Sequence, residues 1–360
     1  MINLQRCTEK EFLQMTEKKP IVCFCAGEKF LEFCERFYVE NQILYIADNF
    51  KCGQVLQIRN ANIPIVSMEQ LDKRCQEAIC VLTSMKYAEE IIHQLDGIPV
   101  CNNVKVYVYE LLQEENKEIS WKSNSVQVIP KKIHYCWFGK GKMPNHFQEN
   151  IRSWETYCPD YEIIEWNEDN YDISKNVYMQ QAYEKKAWGF VSDYARLDIV
   201  NAHGGIYMDT DVRVLKSLEV LLQYELFCGF ETVNVINFGL GFGARKNHPV
   251  ISDILLKYEK LRFINQDGSL NKTPCPIYQT SVLEQYGVKK NGKFQEKDHF
   301  VVFPPEYFSP INQFGYGKPS IKTFSVHQYA ASWFDEGQKK DKEKMIHNFK
   351  YVEKRMKEYL

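Results

Sequence analysis

The sequence has no apolar run approaching the roughly 18 residues needed to span a bilayer. Its start, Met1-Ile2-Asn3-Leu4-Gln5-Arg6, lacks the basic-then-apolar profile of a signal peptide. It has no excess of one charge either: 45 Lys and Arg stand against 47 Asp and Glu, a formal net charge of −2. That leaves no electrostatic footprint for nucleic acid. Twelve cysteines are present without a single CxxC pair, which argues against a structural zinc site. Eight of the twelve precede residue 102, in apolar runs such as Ile21-Val22-Cys23-Phe24-Cys25, and read as buried free thiols of a reducing compartment. Internal repeats and low-complexity tracts are missing too. These absences point to a cytoplasmic, soluble protein and leave room for peripheral contact with the inner face of the cell membrane.

What is present is a chain of 360 residues, 44% hydrophobic and 14% aromatic, enough for two domains with real cores. Residues 1–125 alternate short apolar runs at Pro20–Cys25, Gln42–Ala47, Ile79–Thr83 and Val104–Tyr109 with helix-like stretches. That predicts a small Rossmann-like α/β accessory domain. Its first run leads into Ala26-Gly27-Glu28 and an amphipathic stretch through Phe30, Phe33, Cys34 and Phe37. A strand–glycine–helix opening can bind phosphate, but one glycine stands where the dinucleotide fingerprint needs three. The module therefore reads as structural or partner-binding. The polar stretch 114–125 is taken as the linker. Residues 126–360 form the second domain, closed by a charged helix with apolar positions at Met345, Phe349, Val352 and Met356.

The chemistry-bearing stretch is Gly204-Gly205-Ile206-Tyr207-Met208-Asp209-Thr210-Asp211. A glycine pair ends a helix and a short strand runs into two carboxylates. Residues i and i+2 of a strand share a side, so Asp209 and Asp211 can share one target. Two hard oxygen ligands suit Mn²⁺ or Mg²⁺. A bare DxD also occurs by chance in solvated loops, so its neighbours matter. Upstream, Ser192 can cap a helix on which Asp193 and Arg196, spaced i and i+3, share a face. The bland reading is an exposed ion pair. The sharper one puts that face in the DxD cleft, with Asp193 on sugar hydroxyls and Arg196 neutralising phosphate charge.

With these motifs, residues 126–335 resemble bacterial members of glycosyltransferase family 32, the DXD-containing sugar transferases. The matching stretches are IPKKIHYCWFG (129–139), SWETYCPDYEIIEWNEDNYD (153–172), AYEKKAWGFVSDYARLDIV (182–200), GGIYMDTDVRVLKSL (204–218) and VHQYAASW (326–333). More distantly, SDxxR followed by DxD is similar to the clostridial glucosylating toxins. The resemblance implies a GT-A catalytic domain, a nucleotide-sugar donor, a divalent metal and retention at the anomeric carbon. It further implies that Trp137 stacks on the donor base, with Ile133 and His134 lining the same strand end. Asp193 and Arg196 would contact the donor sugar. Asp209 would reach the ribose or a metal-bound water, and Asp211 would ligate the metal directly. His327 falls where a C-terminal metal ligand is expected, and Ser332 and Trp333 would close over the diphosphate. Asn237, in NVINFGLGFG, is assigned to donor or acceptor hydroxyls, although this stretch departs from the family's asparagine–alanine wording.

The expected donor is a UDP-sugar, a hexose or N-acetylhexosamine, before a GDP-sugar. The acceptor is a glycan or lipid-linked glycan of surface or capsular polysaccharide. Metal-dependent phosphoryl or nucleotidyl transfer also uses paired aspartates, but has no use for Trp137 and Trp333. A catalytically inactive scaffold of a polysaccharide-assembly complex is the non-enzymatic alternative, and would have no reason to keep these groups together.

Overall fold

The computed structural model describes residues 1–113, 118–121, 126–330 and 336–357. It divides into two compact units, Met1–Glu115 with Asp335–Leu360, and Asn116–Phe334. Both are α/β, as expected.

The first unit runs β1 (Asn3–Gln5), α1 (Glu9–Thr16), β2 (Ile21–Phe24), α2 (Glu28–Phe37), β3 (Ile43–Ala47), β4 (Val55–Ile58), β5 (Ala61–Val66), α3 (Arg74–Glu77), β6 (Ile79–Leu82), α4 (Ala88–Asp96) and β7 (Lys105–Val108). The strands form one sheet in the order β1-β7-β6-β2-β3-β5-β4, parallel except for β4. The four runs picked out by sequence are four of its five inner strands, and each residue of Ile21–Phe24 and Ile79–Leu82 is buried, as strands covered on both faces require. Thr8 caps α1 in a reciprocal box with Glu11. Phe30, Phe33, Cys34 and Phe37 are the buried stripe of α2. Strand order reverses between β2 and β6, the place where open α/β sheets hold ligands.

The second unit runs β8 (Lys132–Cys136), α5 (Asn145–Tyr157), β9 (Glu162–Trp166), α6 (Val177–Glu184), α7 (Trp188–His203), β10 (Gly205–Tyr207), β11 (Val212–Val214), β12 (Leu226–Thr232), β13 (Val235–Ile236), β14 (Phe242–Ala244), α8 (Pro249–Glu259), α9 (Cys275–Gln285), β15 (Gln295–Lys297), β16 (Phe300–Phe303), α10 (Pro305–Phe308) and β17 (Ser325–His327). Its main sheet has the order β15-β16-β12-β14-β10-β8-β9, with β13 paired to β12. β8, β9 and β10 are parallel, so their carboxyl ends share one edge. β14 is antiparallel to β10 and to β12. β11 pairs antiparallel with β17, setting Val212 opposite His327. One core cluster contains α7, from Phe190 to Val200, and the other contains Trp154, Ile206 and Met208.

Three details differ from the sequence reading. The last helix, α11 (Glu336–Lys357), belongs to the first unit rather than closing the second. It buries Phe349, Val352 and Met356, Asn348 Nδ2 donates to the carbonyls of Met85 and Lys86, and Arg355 pairs with Asp96 at 2.8 Å. Its apolar period was legible, but not the surface that covers it. Within the expected linker, Trp121 stacks on Phe303 of the second unit at 5.9 Å, while residues 114–117 and 122–125 lie outside the described residues. Ser192 sits inside α7, which starts at Trp188, and its hydroxyl returns to the Trp188 carbonyl. Among the described residues no helix is long and apolar enough to cross a membrane, and all twelve cysteines are free.

Candidate metal centre at the Asp209–Asp211 turn

The turn is built by its approach. α7 ends at Gly204 and Gly205, both at positive φ (65° and 110°), which costs glycine little. A Cβ on Gly205 would sit 2.9 Å from the Lys132 carbonyl and from His134 Nε2, so the chain can enter β10 only as glycine. The Met208 amide then bonds to the His134 carbonyl at 3.1 Å, and the Asp209 amide to the Gly239 carbonyl at 3.2 Å. Val212 N returns to Asp209 O at 3.0 Å, closing a tight turn around Thr210.

Asp209, Asp211 and His327 converge, with one ligand atom of each lying within 4.8 Å of the others. His327 Nε2 is 3.1 Å from Asp211 Oδ1, and the Ala330 amide donates to Asp211 Oδ2 at 2.9 Å. Burial opposes the Asp211 charge, yet His327 and the Ala330 amide outweigh it and hold that carboxyl below its ordinary range. Burial likewise opposes an imidazolium at His327, but Asp211, Asp209 and Glu231 raise it. Asp209 goes the other way, pushed up mainly by burial despite Arg196.

Asp193 and Arg196 lie against this cluster. The same Arg196 nitrogen reaches Asp193 Oδ1 at 3.1 Å and Asp209 Oδ1 at 3.2 Å, with 5% of the arginine side chain exposed. The bland reading of an exposed helix pair is thereby excluded. Burial raises Asp193 to about 6 against the opposing pull of Arg196. Tyr207 donates to Asp209 Oδ1 at 3.1 Å and lies under the guanidinium.

The other expected residues divide. Asn237 is adjacent, but its side chain is engaged at both ends: Oδ1 takes the Gly239 amide at 2.7 Å, and Nδ2 donates to Glu231 at 3.1 Å. His134 has no ring atom left for a ligand. Trp166 donates to Nδ1 at 3.1 Å, which leaves Nε2 to donate to the Gly204 carbonyl at 2.9 Å, and burial lowers its pKa to about 4. Ile133 is wholly enclosed in the core. Trp137 is half-buried past the end of β8, its indole N–H on the Gly141 carbonyl at 2.6 Å. Ser332 and Trp333 lie outside the described residues.

Sequence reasoning missed Tyr207, Gly239, Glu231 and Tyr329. Tyr207 carried a signal as the last strand residue before the turn, two ahead of Asp209. Gly239 is needed for space, since a Cβ there would collide with Asp209 Oδ2.

The donor set fits a hard divalent cation. Two carboxylates and an imidazole converge, the buried Nδ1 of His327 has no hydrogen-bond partner among the described residues, and Arg196 with His327 faces the four carboxylates of Asp193, Asp209, Asp211 and Glu231. Negative charge packed this densely calls for a cation.

Residues 144–228, which hold both aspartates of the turn together with Asp193 and Arg196, match the family described as the glycosyltransferase sugar-binding region containing DXD motif. This chain thus carries a glycosyltransferase-type DXD sugar-binding region across those residues. It is 28% identical over 166 residues to an uncharacterized glycosyltransferase, L373, of Acanthamoeba polyphaga mimivirus, covering 44% of this chain and 66% of that one. Inositol phosphoceramide mannosyltransferase 3 of Schizosaccharomyces pombe is 25% identical over 145 residues, 39% of this chain and 40% of its own. Mannosyl phosphorylinositol ceramide synthase SUR1 of Saccharomyces cerevisiae is 28% identical over 177 residues, 46% and 45%. The matches thus span less than two thirds of each relative, and these relatives are viral and fungal. Among solved structures, PaToxG glycosyltransferase aligns with a TM-score of 0.34 at 16% identity, over 44% of this chain and 68% of that one. A glycosyltransferase involved in glycosylation of the major capsid of PBCV-1 aligns at 0.33 and 12%, over 59% and 98%. Similarity that low adds nothing to the argument.

Proposed function

We propose that the protein is a metal-dependent, retaining glycosyltransferase that moves a hexose or N-acetylhexosamine from a nucleotide-sugar to a glycan or lipid-linked glycan. The observation that carries this reading is that Asp209 and Asp211, inside a DXD sugar-binding region, converge with His327 from far along the chain. Those three residues would hold Mn²⁺ or Mg²⁺, which supplies positive charge to a departing diphosphate when bound. Arg196 fixes Asp209 and Asp193 from below and adds a charge that needs no reorganisation during transfer. Asp193 accepts from sugar hydroxyls, and Trp137 stacks on the base. Retention follows if the acceptor attacks on the face the diphosphate leaves, with its proton passing to the departing phosphate.

UDP-sugars are the leading donors. GDP-mannose stands beside them because two relatives are named for mannosyl transfer. The setting is surface-polysaccharide assembly at the cytoplasmic face of the membrane. A hydrolysis and thermal-shift screen of UDP- and GDP-sugars, with and without Mn²⁺, tests the proposal. The expected result is slow, Mn²⁺-dependent release of nucleoside diphosphate from one donor class. Pyrophosphate release from a nucleoside triphosphate without any sugar donor would favour nucleotidyl transfer instead.

A further inference from the structure

Glu231 lies near the end of β12, after a run, Leu226–Phe230, that is buried throughout. Glu231 itself is half-buried, and a carboxylate partly withdrawn from water is stabilised by hydrogen bonds or nearby charge. Glu231 is held by two side chains that lead in different directions.

One arm runs to the DxD turn. Asn237 Nδ2 donates to Glu231 Oε2 at 3.1 Å, Asn237 Oδ1 takes the Gly239 amide at 2.7 Å, and the Gly239 carbonyl takes the Asp209 amide at 3.2 Å. Gly239 fits so closely under the Asp209 carboxylate that displacement of the 237–239 turn would move Asp209 with it. The other arm runs to β17. The Tyr329 hydroxyl interacts electrostatically with the Glu231 carboxylate and lies 2.6 Å from Ser309 Oγ. The Tyr329 ring stands edge-on to His327, centroids 4.3 Å apart. Tyr329 is itself at φ 51°, a left-handed conformation that a bulky residue keeps only when its surroundings over-determine it. The residue after it, Ala330, donates its amide to Asp211 Oδ2 at 2.9 Å.

We propose that Glu231 is a positioning residue that couples the two halves of the Asp209–Asp211–His327 cluster, setting Asp209 through Asn237 and Gly239 and setting His327 and Asp211 through Tyr329. It is not one of the three converging donors; it acts through groups that orient them. Outer partners of this kind fix ligand direction, and their removal typically costs about 10–100-fold in metal affinity. The inference rests on the cluster being the divalent-cation site proposed above.

The test is a titration of the full chain with Mn²⁺ alone, reading free Mn²⁺ by its paramagnetic resonance signal and recording the metal-free melting temperature in parallel. Wild type binds Mn²⁺. Glu231→Ala and Tyr329→Phe bind it about 10–100-fold more weakly, and Glu231→Gln, which keeps an oxygen for Asn237, recovers most of the affinity. Val302→Ala, in the buried strand β16, lowers the melting temperature but keeps wild-type affinity, which separates positioning from general loss of stability. Tyr329→Phe removes a single hydroxyl and keeps the test open if Glu231→Ala fails to fold. Wild-type affinity in Tyr329→Phe and in any folded Glu231→Ala would overturn the coupling and leave the metal site standing. No Mn²⁺ binding by wild type would overturn both.

Discussion

Each unit places an aspartate near the carboxyl end of a sheet strand, and the two aspartates are used in opposite ways. In the first unit, Asp48 follows β3 beside the turn after β2. Its Oδ2 takes the Ala26 amide at 2.9 Å, and its Oδ1 takes the amides of Phe50 and Lys51 at 2.9 and 3.2 Å. Lys51 Nζ donates back to the Ala26 carbonyl at 2.7 Å. The Ala26 amide and carbonyl at this turn are thus spent on the protein itself. In the second unit, the turn after β10 keeps several carboxylates facing Arg196 and His327, and a buried imidazole nitrogen without a partner. Two sheets of similar kind therefore differ in what their strand ends leave unsatisfied, and ligand chemistry is expected where the surplus lies.

The largest effect is expected at Arg196. Arg196→Met leaves the buried Asp193 and the partly exposed Asp209 without their cation, a loss of about 3–5 kcal/mol in unfolding free energy and of about 10²–10³-fold in transfer. Chemical denaturation and donor turnover measure the two. Gly239→Ala forces a Cβ against Asp209 Oδ2; overpacking of about 1–3 kcal/mol comes with weaker Mn²⁺ binding. In the first unit, Asp48→Ala strands the Ala26 amide and costs about 1–3 kcal/mol, yet leaves the Mn²⁺-dependent donor shift at wild-type size. Loss of that donor shift in Asp48→Ala would break the comparison.

The smallest effect is in pH dependence. The His134 pKa in the folded chain is about 4, against an ordinary value of 6.5. Above 6.5 both folded and unfolded chains hold it neutral. As pH falls from 6.5 towards 4 the unfolded chain takes up the proton first, so stability is lost across that window. His134→Gln should flatten the fall in melting temperature between those values. An unchanged slope would remove His134 from its buried, neutral role.

The local parts of the site were legible because they obey short periods. Asp209 and Asp211 were paired by their spacing of two, although they meet in the turn after β10 and not within a strand; Asp193 with Arg196 follows from helix spacing, and four of the five inner strands of the first unit from apolar runs. What stayed hidden depends on partners far along the chain. His134 was assigned to a donor-lining edge, but its ring is held by Trp166 and Gly204, 32 and 70 residues away. Glu231 and Tyr329 mark themselves only once β12 and β17 are brought to the same turn. His327 came from resemblance alone, since a lone histidine carries no local signature. The β4–β5 hairpin was missed because it is an edge element with a proline, Pro64, and a half-exposed partner strand.

The central claim is that the Asp209–Asp211–His327 cluster holds the cation that binds a nucleotide-sugar. Its most direct test is the Mn²⁺-dependent thermal shift produced by UDP- and GDP-sugars in wild type and in Asp211→Asn. The account predicts a shift in wild type that requires Mn²⁺ and is lost in the variant, with turnover falling beyond about a hundredfold. An undiminished shift and full turnover in Asp211→Asn would contradict it.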